Sequence, residues 1–178
     1  KTVEFLRCES FSEGFARVEI NNKWGFIDTT GALVIKAEFT EAGNFTGRMA
    51  MVKFDGKTGF IDKKGNYKIA RQFDDAKDFH NWQARVYRDN CWSFIDTSGK
   101  ILFTLKKEVE YVSKFNEGFA RVHILNGENY INTKGEYLLK HRFDAAGDFH
   151  NGIAIVGGNG IYLLIDTLGH SLTKREFS

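Results

Sequence analysis

The sequence has few of the residues that constrain loops covalently. Proline is absent and only two of the 178 residues are cysteine, so the loops must turn on glycine, asparagine and aspartate. Nothing in the sequence supports a disulfide between Cys8 and Cys91. Cys8 is predicted to be a small buried residue, because other parts of the chain place Ala42, Ala76, Val112 and Ala146 at the same position of a repeated pattern.

Long apolar runs and a strong charge of one sign are also missing. No stretch of about 18 apolar residues occurs, so we expect a soluble protein without membrane insertion, in a compartment that the sequence leaves open. The 25 basic and 23 acidic residues are interspersed and give a net charge of +2. This balance gives no electrostatic reason to expect nucleic acid as the partner.

Sequence motifs for catalysis are lacking as well. There is no nucleophile elbow, phosphate loop, His-Glu-x-x-His or Cys-x-x-Cys motif, and no serine has a catalytic signature around it. We therefore expect a chain that is not an enzyme and needs neither a cofactor nor a metal.

What the chain does have is a repeat. The stretch Lys23–Gly31 returns four times, and its central isoleucines follow one another at steps of 34, 34, 36 and 34 residues. These steps predict five tandem units in a single repeat domain, residues 1–178. The isoleucines are Ile27, Ile61, Ile95, Ile131 and Ile165, and the units open near Phe11, Phe45, Phe79, Phe115 and Phe149.

Each unit is predicted to be a small antiparallel meander. Phe15–Ile20 alternates and is rich in strand formers, the Asn21-Asn22 pair suits a two-residue turn, and Lys23–Asp28 forms a second strand. A third strand is expected over Ala32–Ala37. The spacing from Phe39 to Phe45 suits either a single helical turn or an irregular fourth strand. The fold class is therefore all-β.

The second strand is apolar on both faces, since Phe26 points one way and Ile27 the other. Such a strand needs cover on both sides, which neighbouring meanders must supply by stacking. Two architectures meet that demand: an open, solenoid-like superhelical array, which we favour, and a closed five-bladed β-propeller. In both, Ile27, Ile61, Ile95 and Ile131 should be almost fully buried.

These units resemble the WG repeat family, also called KWG repeats. The resemblance rests on Glu13-Gly14, Lys23–Asp28, Gly31, Val34-Ile35 and Phe39, and it recurs in all five units. The Trp-Gly pair is intact only once and becomes Thr58-Gly59, Trp92-Ser93, Glu128-Asn129 and Tyr162-Leu163 in later units. The resemblance implies a bacterial protein with tandem β-repeats that acts as an interaction module.

Two patterns of polar residues have both a functional and a structural interpretation. The aspartate that ends the second strand (Asp28, Asp62, Asp96 and Asp166, with Asn132 in the fourth unit) could bind calcium, but a role in capping turn amides explains the asparagine better. Asp78–Asn81 and Asp148–Asn151 share the sequence Asp-Phe-His-Asn, which could ligate a metal. Other units carry Ser12, Thr46 and Asn116 in place of the histidine, so we do not expect a metal site.

Candidate binding residues come from two further positions. Arg17, Arg85 and Arg121 share one position of the first strand and could form a broken row of donors for an anionic ligand. The alternative is that they pair with Glu13, Glu19 or Glu117. Trp82 stands at the position that Gly14, Gly47, Gly118 and Gly152 occupy in the other repeats. It is therefore predicted to project outward, as the most exposed of the three tryptophans, either as a contact residue or lying on a neighbouring loop.

The function that this pattern favours is a non-enzymatic module that binds or scaffolds a protein partner. A carbohydrate- or cell-wall-binding module that uses Trp82 as a stacking platform is the alternative, and an enzyme with an unrecognised site is the third.

Overall fold

The computed structural model describes residues 4–173, in which strands and turns occur but no helix, and hence no helix that could cross a membrane. The strands form five sheets, and in each sheet every strand pairs with its neighbours in sequence. The first sheet contains β1 (Arg7–Cys8), β2 (Phe15–Ile20), β3 (Lys23–Asp28) and β4 (Leu33–Phe39); the second contains β5 (Glu41–Ala42), β6 (Met49–Phe54), β7 (Lys57–Asp62) and β8 (Tyr67–Phe73). The third contains β9 (Asp75–Ala76), β10 (Gln83–Arg88), β11 (Cys91–Asp96) and β12 (Ile101–Thr104); the fourth contains β13 (Val109–Val112), β14 (Phe119–Ile124) and β15 (Gly127–Asn132); the fifth contains β16 (Ala145–Ala146), β17 (Ile153–Gly158) and β18 (Ile161–Asp166). The prediction of an all-β chain of five antiparallel meanders is confirmed.

The internal contacts divide the chain into two compact units, each of which is larger than a repeat. The first extends to Asp89 and includes Ser93–Ile101, and the second contains Asn90–Trp92 and the chain from Leu102 onward. The first two sheets lie in the first unit and the last two in the second. The boundary falls within the third sheet.

Two-residue turns join the long strands of each sheet. Asn21 and Asn22 connect β2 to β3 with φ angles of 50° and 60°. Positive φ at both central residues is the type I′ geometry that matches the twist of a hairpin. Asparagine, aspartate and glycine tolerate this geometry best, which explains how the chain turns without proline.

The segment after the third strand is the irregular strand rather than the helical turn. Glu41 and Ala42 form β5, and Ala42 pairs with Val52 of the following hairpin. The end of one repeat therefore supplies the first strand of the next sheet. Backbone hydrogen bonds between β5 and β6 thus join successive repeats.

Glycine is required in the Trp-Gly pair because a side chain at this position would collide with the third strand. A Cβ at Gly25 would lie 2.6 Å from the carbonyl oxygen of Ile35, and one at Gly59 would lie 2.7 Å from that of Ile69. The third strand thus passes too close for any side chain at this position. In the third repeat Ser93 occupies the position of this glycine, and the third long strand, β12, has only four residues.

In the fourth and fifth repeats Asn129 and Leu163 replace the glycine, and only isolated bridges remain of a third strand among the described residues. In the fourth repeat the Asn129 side chain substitutes for part of the missing ladder. Its Nδ2 donates to the carbonyl of Leu139 at 2.9 Å, and its Oδ1 accepts from the amide of Leu139 at 3.3 Å.

The cores lie between consecutive sheets. In the first unit, the Phe26 side of the first sheet packs against Ala50, Val52 and Ile61 of the second. Phe45 is inserted at this interface, with its ring centroid 4.9 Å from that of Phe26. Within each unit, the prediction that one meander covers the next is confirmed.

This packing buries Ile61 between the first and second sheets and Ile95 between the second and third. Ile61, Ile95 and Ile131 have no exposed surface and Ile27 is 6% exposed, as predicted. The prediction for Cys8 is wrong. Cys8 is exposed and unpaired, because no described sheet precedes β1 to cover the strand on which it lies.

Candidate functional site

The repeated aspartates cap the turns that follow the second strand of each hairpin. Oδ1 of Asp28 accepts hydrogen bonds from the amides of Thr30 at 2.9 Å and Ala32 at 3.2 Å. Asp62, Asp96 and Asp166 accept the same two bonds, and Oδ1 of Asn132 makes them with an amide oxygen. These bonds fit the structural interpretation of the series.

Hydrogen bonding also lowers the pKa of these carboxyl groups. The Thr30 hydroxyl is the main cause of the lowered pKa of Asp28, with further contributions from the amides of Thr30 and Ala32. The pKa values of Asp62, Asp96 and Asp166 are lowered as well. The charged form is the one that the turn amides stabilise.

Two of the three candidate arginines contact the backbone of the following sheet. Arg17 donates to the carbonyl of Ala42, and Arg121 donates to that of Ala146 at 2.7 Å. Their acidic partners differ from the glutamates named above: Glu9 lies 3.9 Å from Arg17, while Glu128 and Asp148 lie 3.7 and 3.6 Å from Arg121. Arg85 is half-buried and also has an interaction partner. Binding of an anionic ligand by this position stays a prediction.

The Asp-Phe-His-Asn motif does not form a cluster of metal ligands. Asp78 is half-buried, and burial raises the pKa of its carboxyl group. Its Oδ2 accepts from the amide of Asn44 at 3.1 Å, whereas His80 lies at the exposed surface. Within residues 4–173, no three His, Cys, Asp or Glu side chains are arranged to hold a metal ion.

Trp82 projects outward, as predicted. It is 71% exposed, whereas Trp92 is 7% exposed and Trp24 is half-buried. Its φ of 66° matches the positive φ of Gly14, Gly118 and Gly152. This backbone angle, not lack of room, accounts for the glycines, since a Cβ at any of those three positions would meet nothing within 4 Å.

The prediction that Gly47 is the equivalent of Trp82 in the second repeat is wrong. The bridges Thr46–Met49 and His80–Gln83 are equivalent, so the residue that matches Trp82 in the second repeat is Arg48, not Gly47. Arg48 has a φ of 68°. Two of the five repeats thus carry a long side chain at a backbone position that favours glycine.

Trp82 borders a groove of about 390 Å³ in the first unit. The groove runs between the turns that open the second and third repeats. Its lining is Glu13, Thr46, Gly47, Phe79, His80, Asn81 and Trp82. Phe79 is buried beneath it, while Asn81 and Trp82 are exposed at its rim.

Basic side chains surround a second groove that shares Gly47 with the first. Arg48, Lys63, Lys64 and Lys68 line it, together with Asp62. Lys63 is paired with Glu13 at 3.3 Å and Lys68 with Asp62 at 3.5 Å. In the described part of the chain, the side chains of Arg48 and Lys64 have no ion-pair partner.

Glutamates in two repeats connect the opening turns of consecutive repeats. The carboxylate of Glu13 accepts from the amide of Arg48 at 3.1 Å. Glu117 accepts from the amides of Asn151 and Gly152, each at 2.8 Å, and these bonds, that of Gly152 first, lower the pKa of Glu117. Sequence reasoning missed both glutamates, although Glu13 and Glu117 share one position of the repeat.

Solved structures with similar folds are all distant in sequence. KlHsv2 with loop 6CD replaced by a Gly-Ser linker has a TM-score of 0.59 and 10% identity, over 96% of this chain and 68% of that one. A eukaryotic initiation factor has a TM-score of 0.56 and 12% identity, over 95% of this chain and 54% of that one. The dihydro-heme d1 dehydrogenase NirN in complex with DHE has a TM-score of 0.54 and 12% identity, over 92% and 45%.

These neighbours have propeller-like folds, and at such low identity the likeness concerns the fold alone. The chain spans about half the length of two of them. No curated protein sequence matches the chain.

The family comparison agrees with the internal repeat. The family described as "WG containing repeat" matches residues 4–24, 24–57, 59–81, 92–127 and 130–160, which together make up most of the chain. Such a repeat family is consistent with a β-repeat binding or scaffold module. The chain is a member of the WG containing repeat family.

Proposed function

We propose that this chain is a non-enzymatic module that binds a protein partner through the groove beside Trp82. The observation that carries the proposal is the conformation of Trp82. A bulky residue in the left-handed region costs free energy, and its 71% exposure shows that little packing offsets that cost. Strain of this kind is common at functional sites, and an exposed tryptophan beside a groove is a typical anchor of a protein interface.

Carbohydrate binding is the second candidate, because an exposed indole is also a platform on which a sugar ring can stack. The surroundings of Trp82 favour the protein partner. Arg48 and Lys64 supply unpaired positive charge next to the groove, which a neutral glycan would leave uncompensated. An enzyme is the least supported candidate, since the sequence has none of the catalytic motifs considered above.

We also propose that the five sheets form an open array of propeller-like sheets. The outward face of the fifth sheet supports this proposal. Ile155, Tyr162 and Leu164 are 54%, 67% and 37% exposed, although Phe26, the equivalent of Leu164 in the first sheet, is covered by the second. Closure of five sheets into a ring would cover this face.

Shortening the chain tests the architecture. An open array loses stability in increments, because each repeat contacts only its neighbours. A chain that ends at Arg142 should therefore melt cooperatively, at a lower temperature than the full chain. Complete unfolding of the shortened chain would support the closed ring.

Affinity capture tests the proposed function. The purified chain is immobilised beside its Trp82→Ala and Tyr162→Ala variants, the second being a matched loss of an exposed aromatic residue. Proteins retained by the native chain and by Tyr162→Ala, but lost with Trp82→Ala, are the expected result. Equal retention by all three would contradict a role for Trp82, and retention of polysaccharide instead of protein would support the second candidate.

A further inference from the structure

The opening turn of the third repeat lacks the carboxylate that the equivalent turns of the second and fifth repeats receive. In the fifth repeat, the amides of Asn151 and Gly152 donate to Glu117 of the repeat before. In the second repeat, the amide of Arg48 donates to Glu13. Before the third repeat, the position of Glu13 and Glu117 is occupied by Gly47, which has no side chain.

The amides left over by this change are those of Asn81 and Trp82. They correspond to Asn151 and Gly152, with φ angles of 49° and 66° against 51° and 75°, so the two turns have the same backbone geometry. Neither amide has a hydrogen-bond acceptor among residues 4–173. Two adjacent backbone N–H groups in this arrangement are suited to holding a carboxylate.

The position that the missing carboxylate would occupy is open. A Cβ at Gly47 would lie 3.9 Å from Cβ of Phe79, two residues before Asn81. The groove of about 390 Å³ that contains Gly47 leads from there to Trp82. A carboxylate from outside the chain can therefore reach the two amides through this groove, at the position that the Glu117 carboxylate occupies beside Asn151 and Gly152 in the fifth repeat.

The charges around the groove favour an acidic ligand. Arg48 and Lys64 line the adjoining groove, and neither is neutralised by an ion pair within the described residues. Glu13 is the acidic residue that lines the Trp82 groove, and Lys63 pairs with it at 3.3 Å. A ligand with several carboxylates would gain from both grooves.

We propose that the Asn81–Trp82 turn is a receptor for a carboxylate side chain of an acidic peptide segment in a protein partner. One glutamate or aspartate accepts hydrogen bonds from the two amides, the Trp82 indole packs beside its aliphatic stem, and neighbouring acidic residues face Arg48 and Lys64. This inference rests on the proposed function and specifies the chemistry of the partner.

The test is a titration of the isotope-labelled chain with an acetylated hexaglutamate peptide, followed through its backbone amide resonances. The resonances of Asn81 and Trp82 should move downfield, and a hexaglutamine peptide should leave them in place. An oligosaccharide of glucuronate and N-acetylglucosamine provides the carbohydrate comparison. If the oligosaccharide moves these resonances and hexaglutamate does not, the acidic-peptide proposal is overturned.

Two variants at one position sharpen the test. Gly47→Glu should occupy the turn with the chain's own carboxylate, as Glu117 does in the fifth repeat, and should weaken hexaglutamate binding at least about tenfold. Gly47→Gln has the same shape without the charge and should weaken binding less. Equal hexaglutamate affinity of the native chain and Gly47→Glu would overturn the inference.

The affinity capture separates this failure from that of the proposed function. If a captured protein still depends on Trp82 but binds Gly47→Glu as well as the native chain, the module binds proteins without using the carboxylate receptor. If nothing captured depends on Trp82, the proposed function itself fails.

Discussion

Gly25 lies so close to Ile35 that a Cβ on the glycine would be 2.6 Å from the isoleucine's carbonyl oxygen. No real Cβ tolerates that distance, so β4 would have to move away from β3. Gly25→Ala should therefore lower the free energy of unfolding by roughly 1–3 kcal/mol, the usual range for overpacking. Urea denaturation followed by circular dichroism measures the change.

The matched control lies at the same position of the third repeat. Ser93 already carries a side chain there, and the adjoining strand is shortened. Ser93→Ala should lower the free energy of unfolding by clearly less than Gly25→Ala. Equal losses would mean that the glycine is not what permits the long third strand.

The second prediction concerns the core between sheets. Ile61 has no exposed surface, so Ile61→Ala should lower the free energy of unfolding by roughly 2–5 kcal/mol, through lost burial and the cavity left behind. Ile155→Ala, at a position that is 54% exposed, should change it by about 0.5 kcal/mol or less. Thermal and urea unfolding measure both losses. A larger loss of unfolding free energy in Ile155→Ala than in Ile61→Ala would contradict the described packing.

The third prediction is a dependence of stability on pH. The pKa values of Asp28, Asp62, Asp96 and Asp166 are lower in the folded chain than their ordinary value of 3.8. Groups with a lowered folded pKa contribute stability that is complete above the unfolded pKa and is lost as pH falls through the folded pKa. The melting temperature should thus decrease as pH falls below about 4.

A variant with all four aspartates changed to asparagine tests the cause. Asn132 makes the same two turn bonds with its amide oxygen, so the variant should fold. Its melting temperature at neutral pH should lie below that of the native chain, because the bonds lose their charge, and the difference should shrink in acid. A constant difference at all pH values would contradict the assignment.

Trp82 provides the fourth prediction, because its φ of 66° suits glycine. Trp82→Gly should raise the free energy of unfolding by about 1 kcal/mol, as strain in the left-handed region is relieved, and it should abolish capture of the partner. Gain of stability with loss of binding is the signature of a strained functional residue. A loss of stability in this variant would show that the indole contributes packing that outweighs its strain.

The repeat made much of this fold predictable. Five isoleucines in phase defined the units, and apolar residues on both faces of β3 required neighbouring sheets on either side. The pairing of Ala42 with Val52 in the next sheet could not be read from the sequence, because a two-residue strand has no period of its own. The third strand also varied between repeats, for a reason that emerged only from the distance between Gly25 and Ile35.

The site was less predictable than the fold. Trp82 was recognisable because a large residue replaced glycine, and its exposure followed. The role of Gly47 was obscured by a one-residue error in alignment, since two consecutive residues of each opening turn have positive φ. The significance of Glu13 and Glu117 depends on contacts with the next repeat, about 35 residues away, which spacing alone did not reveal.

The measurement that tests most directly whether the Asn81–Trp82 turn accepts a carboxylate is an amide resonance titration without any ligand. Between about pH 3 and pH 5.5, where carboxyl groups titrate, the Asn151 and Gly152 amide resonances of the native chain should follow the titration of Glu117. Those of Asn81 and Trp82 should acquire a matching titration in Gly47→Glu and should not acquire it in Gly47→Gln. If the introduced glutamate leaves the Asn81 and Trp82 resonances as they are in the glutamine variant, the turn is not a carboxylate receptor.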